Sequence, residues 1–263
     1  MSAKPAMRLQ KLMAQSGLGS RRGLEKRMMA GEILLNGQPA QPGTHVRPGD
    51  RIRMGRRSWQ VVEGRGQATR VLVYNKPTGE ITTRSDPEGR PTVFERLPHL
   101  KRSRWVAVGR LDINTSGLLL LTNDGLLANH LMHPASRIDR EYLCRIHGHP
   151  DESVLHRLRT GVELDDGPAA FSDIVAAEQT ESHQWFHVVL LEGRNREVRR
   201  LWEVAGFQVS RLKRVRYGPV FLPKGLKTGQ FHELTPGELN ILYQDTGYRP
   251  SESDNLSLRP LRR

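Results

Sequence analysis

VAVGRLDINTSGLLLLTNDGLLANHL, residues 106–131, sets the fold class. Val106 and Val108 lead as a short strand into Gly109-Arg110-Leu111-Asp112. The next residues, Ile113-Asn114-Thr115-Ser116-Gly117, have the polar composition of a turn. Leu118–Leu121 is a continuous apolar run. Asp124 then stands where a helix cap belongs, with Leu127 and Leu131 four residues apart on one helical face. An aspartate placed after a short strand and before a polar turn sits at a rim that a substrate can reach. The same five-residue pattern also fits an ordinary polar turn, and by itself it does not separate the two.

Upstream, VLVYNKP at 71–77 predicts a strand stopped by Pro77, and residues 84–99, with three prolines, predict a long surface loop. Downstream, REYLCRI at 140–146 alternates as a strand, and Leu155 and Leu158 mark a helix ending near Gly161. AFSDIVA and QWFHVVLL read as further strands. Residues 195–205 predict a helix with Val198, Leu201, Trp202 and Ala205 on its apolar face, closed by Gly206. VSRLKRVRY at 209–217 alternates again. Helices are too few for a regular doubly wound parallel sheet. The expected class is α+β: a mixed, mostly antiparallel sheet with flanking helices in the larger region, residues 71–248, behind a small N-terminal domain.

That front domain, residues 1–66, reads as two short helices and a small sheet. Leu9, Leu12 and Met13 share one helical side, Gly17 ends that helix, and Ser20 caps a second one through about Met29, with Leu24 and Met28 on its inner face. Asn36-Gly37 is a strong hairpin signal, Pro48-Gly49-Asp50 another turn, and Trp59–Val62 the expected last strand. Residues 64–70 have linker composition, placed between the domains at 67–70. Residues 249–263 form a polar tail expected to be disordered.

The 263-residue chain carries a formal net charge of +13, which favours a polyanionic partner. Residues 1–70 hold 14 Lys and Arg against 4 Asp and Glu, a balance of +10, whereas residues 71–263 hold 27 against 24. The front domain is therefore the main electrostatic grip. Arg8, Lys11, Arg21, Arg22, Lys26 and Arg27 sit on or beside its helices, where they meet phosphates or simply solvate a helix surface. The one cysteine, Cys144, excludes an intrachain disulfide and a cysteine metal cluster. No apolar run of about 18 residues predicts a membrane span, and the N-terminus lacks a secretory apolar run. The default compartment is the cytoplasm. There is no phosphate loop, zinc-hydrolase motif or GxSxG elbow.

RLQKLMAQSGLGSRRGLEKRMMAGEILLNG, within residues 8–66, resembles an S4 RNA-binding domain, which implies RNA rather than DNA as the partner. GRLDINTSGLLLLTNDG resembles the catalytic signature of the pseudouridine synthases that carry an S4 domain. YNKPTGEITTRSDPEGRPTVFERLP resembles the segment before it, and EGRNREVRRLWEVAGFQVSRLKRVRYG the family's later basic motif. The resemblance spans about residues 8–243 and is strongest to the bacterial branch that modifies large-subunit ribosomal RNA. It implies isomerisation of uridine to pseudouridine in 23S rRNA. That reaction oxidises and phosphorylates nothing, so no cofactor or metal is expected, and with no dimer signature in the sequence the default is a monomer. The family's invariant aspartate falls on Asp112, its substrate-stacking tyrosine on Tyr142, and the basic residue that holds the aspartate on Arg199. Arg110 is expected to touch the RNA backbone around a flipped nucleotide. Arg140, Arg196 and Arg214 join the expected RNA contacts; Arg140 stands where many relatives carry Lys. Two alternatives remain open at this level: the same chemistry on 16S rRNA or tRNA, and a non-catalytic RNA-binding or ribosome-assembly protein.

Overall fold

A computed structural model of the protein describes residues 6–64, 68–101, 103–250 and 256–261. The N-terminal module runs β1 (Met7–Arg8), α1 (Leu9–Gln15), α2 (Arg21–Met29), β2 (Ile33–Leu35), β3 (Gln38–Pro39), β4 (His45–Val46), β5 (Arg51–Met54) and β6 (Arg57–Glu63). Its helices form for the reasons visible in the sequence. Leu9, Leu12 and Met13 are all buried, and Ser20 caps α2 by accepting a hydrogen bond from the Gly23 amide. Asn36 (φ 51°) and Gly37 (φ 87°) both take the left-handed region that a two-residue β2–β3 hairpin needs.

The larger domain runs β7 (Val71–Lys76), β8 (Val106–Ala107), β9 (Ser116–Thr122), α3 (Gly125–Met132), β10 (Arg140–His147), α4 (Glu152–Thr160), β11 (Val162–Leu164), β12 (Gly167–Ala169), β13 (Asp173–Gln179), β14 (His183–Leu190), α5 (Glu197–Val204), β15 (Val209–Tyr217), β16 (Val220–Phe221), β17 (Phe231–Glu233) and α6 (Pro236–Thr246). Its sheet has the order β13-β14-β10-β15-β9-β7-β17, with β16 beside β15 and β8 beside β9. Among the described residues every pairing in it is antiparallel except β15 with β9. The α+β expectation therefore holds. Leu118–Leu121 are fully buried because β9 is covered on both faces: Leu119 and Leu121 enter the core under α4 and α5, while Leu118 and Leu120 pack toward α3 and α6. Each such side chain contributes roughly 1.5–3 kcal/mol.

Two expectations about the domain joints need correction. The tail is not disordered throughout. Leu256–Pro260 forms β18, which pairs antiparallel with β6 and makes the N-terminal sheet five-stranded, in the order β18-β6-β5-β2-β3. Leu256 and Leu258 bury into the N-terminal core, which is what holds the strand there. Residues 251–255 and 262–263 of that tail lie outside the described residues. The expected linker is likewise tied down where it is described. The Asn123 side chain donates to the Ala68 carbonyl and accepts from the Arg70 amide, and Arg70 pairs with Glu233. Residues 65–67 lie outside the described set.

Candidate active site

The loop Gly109–Thr115, between β8 and β9, carries Asp112. Its backbone is fixed from several directions. The Thr115 amide donates to the Asp112 carbonyl at 3.0 Å, and the Gly79 amide to the Ile113 carbonyl at 2.9 Å. Thr82 Oγ1 donates to the Leu111 carbonyl at 3.0 Å. From below, Lys76 Nζ donates to the carbonyls of Pro77 (2.9 Å), Asp112 (3.1 Å) and Thr115 (2.9 Å). Lys76 is fully buried at the end of β7, and burial draws its pKa down to about 8 against the opposing pull of Glu80 and Asp112. Sequence reading missed this residue; its only signal is a lysine closing a strand that opens on the apolar run Val71–Tyr74.

Asp112 itself is half-buried and lines a cavity of about 750 Å³. That volume is in the range of small-molecule sites. Tyr142, from β10, forms part of the wall with only 9% exposure. Arg110, Arg140, Arg196 and Arg214 line the same cavity, so six of the residues singled out in the sequence converge on it. Arg110 is exposed at its mouth.

Arg140 and Arg214, expected from the sequence among the RNA contacts, stand inside the cavity rather than on the outer surface. Both are buried, and they flank Tyr217: Arg140 Cζ lies 5.0 Å and Arg214 Cζ 5.1 Å from that ring's centroid. Arg140 donates to the Ile138 carbonyl and to the Tyr217 hydroxyl, and Arg214 Nε to the Leu118 carbonyl at 2.7 Å. Arg214 also stands 6.0 Å from the Tyr142 centroid and keeps a buried Nη2 with no hydrogen-bond partner among the described residues. Leu212 and Arg214 share the inward face by simple alternation along β15, whereas Val209 and Tyr217 join it out of phase. Register shifts against β10, between Glu141 and Tyr142 and between Arg145 and Ile146, change the phase of the strand twice.

Arg199, expected to hold the aspartate, lies on α5. Its Nη1 donates to the Val209 carbonyl (2.8 Å) and its Nη2 to the Asn114 carbonyl (3.1 Å). It thus holds the backbone of the Asp112 loop, and Asp112 reaches it as a through-space charge. Burial and the nearby Arg196 charge draw its pKa below the usual arginine value, with Asp112 acting the other way. Arg196 sits in a left-handed conformation (φ 51°) at the start of α5 and pairs loosely with Glu203.

Glu197, the first residue of α5, is a second group that sequence reading passed over. It lines the cavity at 3% exposure; one oxygen accepts from the Arg194 amide and the other has no hydrogen-bond partner among the described residues. Burial pushes its pKa up to about 7, helped by the neighbouring Glu192 charge. Unfolded, the carboxyl titrates near 4.5. Between these values the folded chain keeps a proton that the unfolded chain has lost, so stability falls as pH rises through that window. Glu197→Gln is expected to flatten this dependence and to be more stable than the parent above pH 7, in denaturant titrations at pH 5 and pH 7.5. Equal slopes in variant and parent would refute it.

On the N-terminal module, Arg8, Arg21, Arg22, Lys26 and Arg27 are exposed and Lys11 is half-buried, while the apolar sides of α1 and α2 are packed inward. None of the six lines the cavity. Arg27 spends part of its charge on Glu32 at 3.5 Å, an exposed pair of little energetic weight.

The fold and the site together define the class: a small basic S4 module joined to a pseudouridylate-synthase-type domain. Residues 7–52 match the S4 domain model, and residues 70–203 match the RNA pseudouridylate synthase model. A solved structure titled as a pseudouridylate synthase superposes with a TM-score of 0.62 at 23% identity, over 90% of this chain and 99% of its own. The chain belongs to the RNA pseudouridylate synthase family. It is 54% identical, over 97% of its length, to the ribosomal large subunit pseudouridine synthase B of Xanthomonas campestris, and 51% identical, again over 97%, to the protein of that name in Salmonella typhimurium. The chain spans 52% of the first relative's length, about half, and 89% of the second's.

Proposed function

We propose that the protein isomerises uridine to pseudouridine in 23S ribosomal RNA, with Asp112 as the reacting carboxylate. The observation that carries this reading is the Asp112 loop itself: its backbone is held by Lys76, Arg199 and Thr82, while Asp112 lines the cavity that Tyr142 shares. The named relatives support the choice of large-subunit RNA.

The reaction breaks the N1–C1′ bond of uridine and forms a C5–C1′ bond. Uracil must therefore detach, stay in place, turn and rejoin. N1 gains a proton and C5 loses one, so the product is an isomer of the substrate. An ionised carboxylate serves each route to that exchange, whether it attacks C1′, adds to the base or promotes a ribose glycal. Tyr142 supplies a flat face on which the detached uracil is retained while it turns. The base must leave its stack to enter the cavity, at a cost of a few kcal/mol. Phosphate contacts on the basic module offset that cost. Arg110, exposed at the cavity mouth, is placed to meet the backbone on either side of the flipped nucleotide.

Site-resolved pseudouridine mapping tests the proposal, using purified protein and 23S rRNA that lacks its native modifications. New pseudouridine at one or two positions is the expected result. Product only in 16S rRNA or tRNA would transfer the activity to those substrates. Tight binding without product in any of the three would leave an RNA-binding protein.

A further inference from the structure

Arg104, where the N-terminal module abuts the rim of the cavity, stands between Arg84 on that rim and Arg21 of the module, and Arg84 and Arg104 have no place in the sequence-derived site. Arg84 lies in the loop after β7. Its Nη2 donates to the Trp105 carbonyl and its Cζ stands 4.4 Å from the Phe94 ring centroid, so the side chain is braced while one side stays open to solvent. Arg104, half-buried, directly precedes Trp105. Both line the cavity. Arg21 comes from the other domain, as the first residue of α2, and is exposed.

The two domains approach closely here. Gly17 follows α1 at φ +76°, and a Cβ on it would lie 3.2 Å from the Ser103 carbonyl oxygen. A Cβ on Gly125, at the start of α3, would lie 4.0 Å from the Arg21 guanidinium. Arg21 and Arg104 therefore occupy facing sides of one seam.

The neighbouring charges acting on Arg84 and on Arg104 are both positive. The neighbouring charge that acts on Arg84 is Arg104, and the one that acts on Arg104 is Arg21; among the described residues no carboxylate opposes either. Partial burial and this mutual repulsion both hold Arg84 and Arg104 below the ordinary arginine pKa. Elsewhere the protein does pair its arginines: Arg70 with Glu233, Arg200 with Asp166, and Arg216 with Asp139 and Glu141. Like charges held close together are destabilising until an anion sits among them. Guanidinium groups also match the oxygens of a phosphate geometrically.

We propose that Arg21, Arg84 and Arg104 form one subsite for a phosphodiester of the RNA strand as it crosses from the N-terminal module into the cavity. This rests on the RNA reading given above. The subsite exists only when the two domains are docked, so it couples the grip of the module to entry of the target nucleotide. Recognition there is of backbone charge, with no preference for base sequence.

The test is a salt series of RNA binding, from 50 to 200 mM, with a 23S rRNA fragment. Parent, Arg104→Gln, Arg104→Lys, Arg21→Gln and the Arg21→Gln/Arg104→Gln double variant are compared. Arg104→Gln is expected to weaken binding roughly tenfold and to lower the slope of log K against log salt by about 0.7–0.9, the loss of one phosphate contact. Arg104→Lys should keep the slope, which separates charge from packing. The double variant should lose less than the sum of the two single losses, because both arginines serve the same phosphate. An unchanged slope in Arg104→Gln would overturn the subsite, and so would strict additivity in the double variant. Pseudouridine formation by the parent on the same fragment is scored separately. Its absence removes the catalytic reading, while the binding series still decides the subsite.

Discussion

Asp112→Asn is expected to abolish pseudouridine formation while leaving the fold and RNA affinity intact. The loop is held through main-chain atoms: Lys76 Nζ and the Thr115 amide both bond to the Asp112 carbonyl, and Arg199 to that of Asn114. None of these contacts involves the carboxylate, so an amide of the same shape leaves them in place. What the amide lacks is the anionic oxygen that every route to the rearrangement needs. Loss of a reacting group of this kind costs a rate factor of about 10⁴ or more. Single-turnover assays read this directly, with mass spectrometry excluding deamidation back to aspartate and a parallel titration measuring RNA affinity. Turnover at the parent rate in the mass-verified Asp112→Asn variant would end the assignment. Lost binding would instead show that the carboxylate positions RNA.

Gly117→Ala is expected to be the most damaging single methyl in the larger domain. Gly117 sits at φ +95°, a conformation that side chains strain. Its added Cβ would lie 2.2 Å from the Arg214 carbonyl oxygen and 3.0 Å from the Arg214 amide nitrogen. The obstruction is backbone, so no side-chain rotation relieves it. The site matters because Gly117 pairs with Arg214 in the parallel step of the sheet. That step joins the β13-β14-β10-β15 half, which carries Tyr142, to the β9-β7-β17 half, which follows the Asp112 loop. Strain and overpacking together amount to roughly 2–6 kcal/mol, a fall in melting temperature on the order of 10 °C. Turnover should fall as well, since widening the step moves Asp112 away from Tyr142. A variant that melts with the parent would show that the sheet absorbs the methyl.

Local chemistry made much of the fold legible. Ser20 and Asp124 cap the helices they were expected to cap, and Asn36-Gly37 turns the expected hairpin. Each of these depends on residues within a few positions of one another. β18 was not legible, because its partner lies far away in sequence and only Leu256 and Leu258 carry the alternation. The site divides along the same line. Asp112 and Tyr142 stand in motifs, and the structure brings them to one cavity. Val209 and Tyr217 share the inward face with Leu212 and Arg214 only through two register shifts that periodicity alone does not contain. Lys76 and Arg199 act on carbonyl oxygens of the Asp112 loop, and carbonyls are invisible in a side-chain pattern. Arg104 gains its neighbour Arg21 only when the two domains meet.

The pairing of β18 with β6 also sets an order of events during synthesis. Gln60 and Arg259, hydrogen-bonded across that pair, are 199 residues apart. A ribosome adding 5–20 residues per second makes the second of them roughly 10–40 s after the first. For that interval the nascent module presents β6 as an open edge, with the Leu256 and Leu258 positions of its core unfilled. An open edge pairs readily with other extended chains. The module is thus completed after the domain that it precedes in the sequence, and β18 closes it only once that intervening domain has emerged.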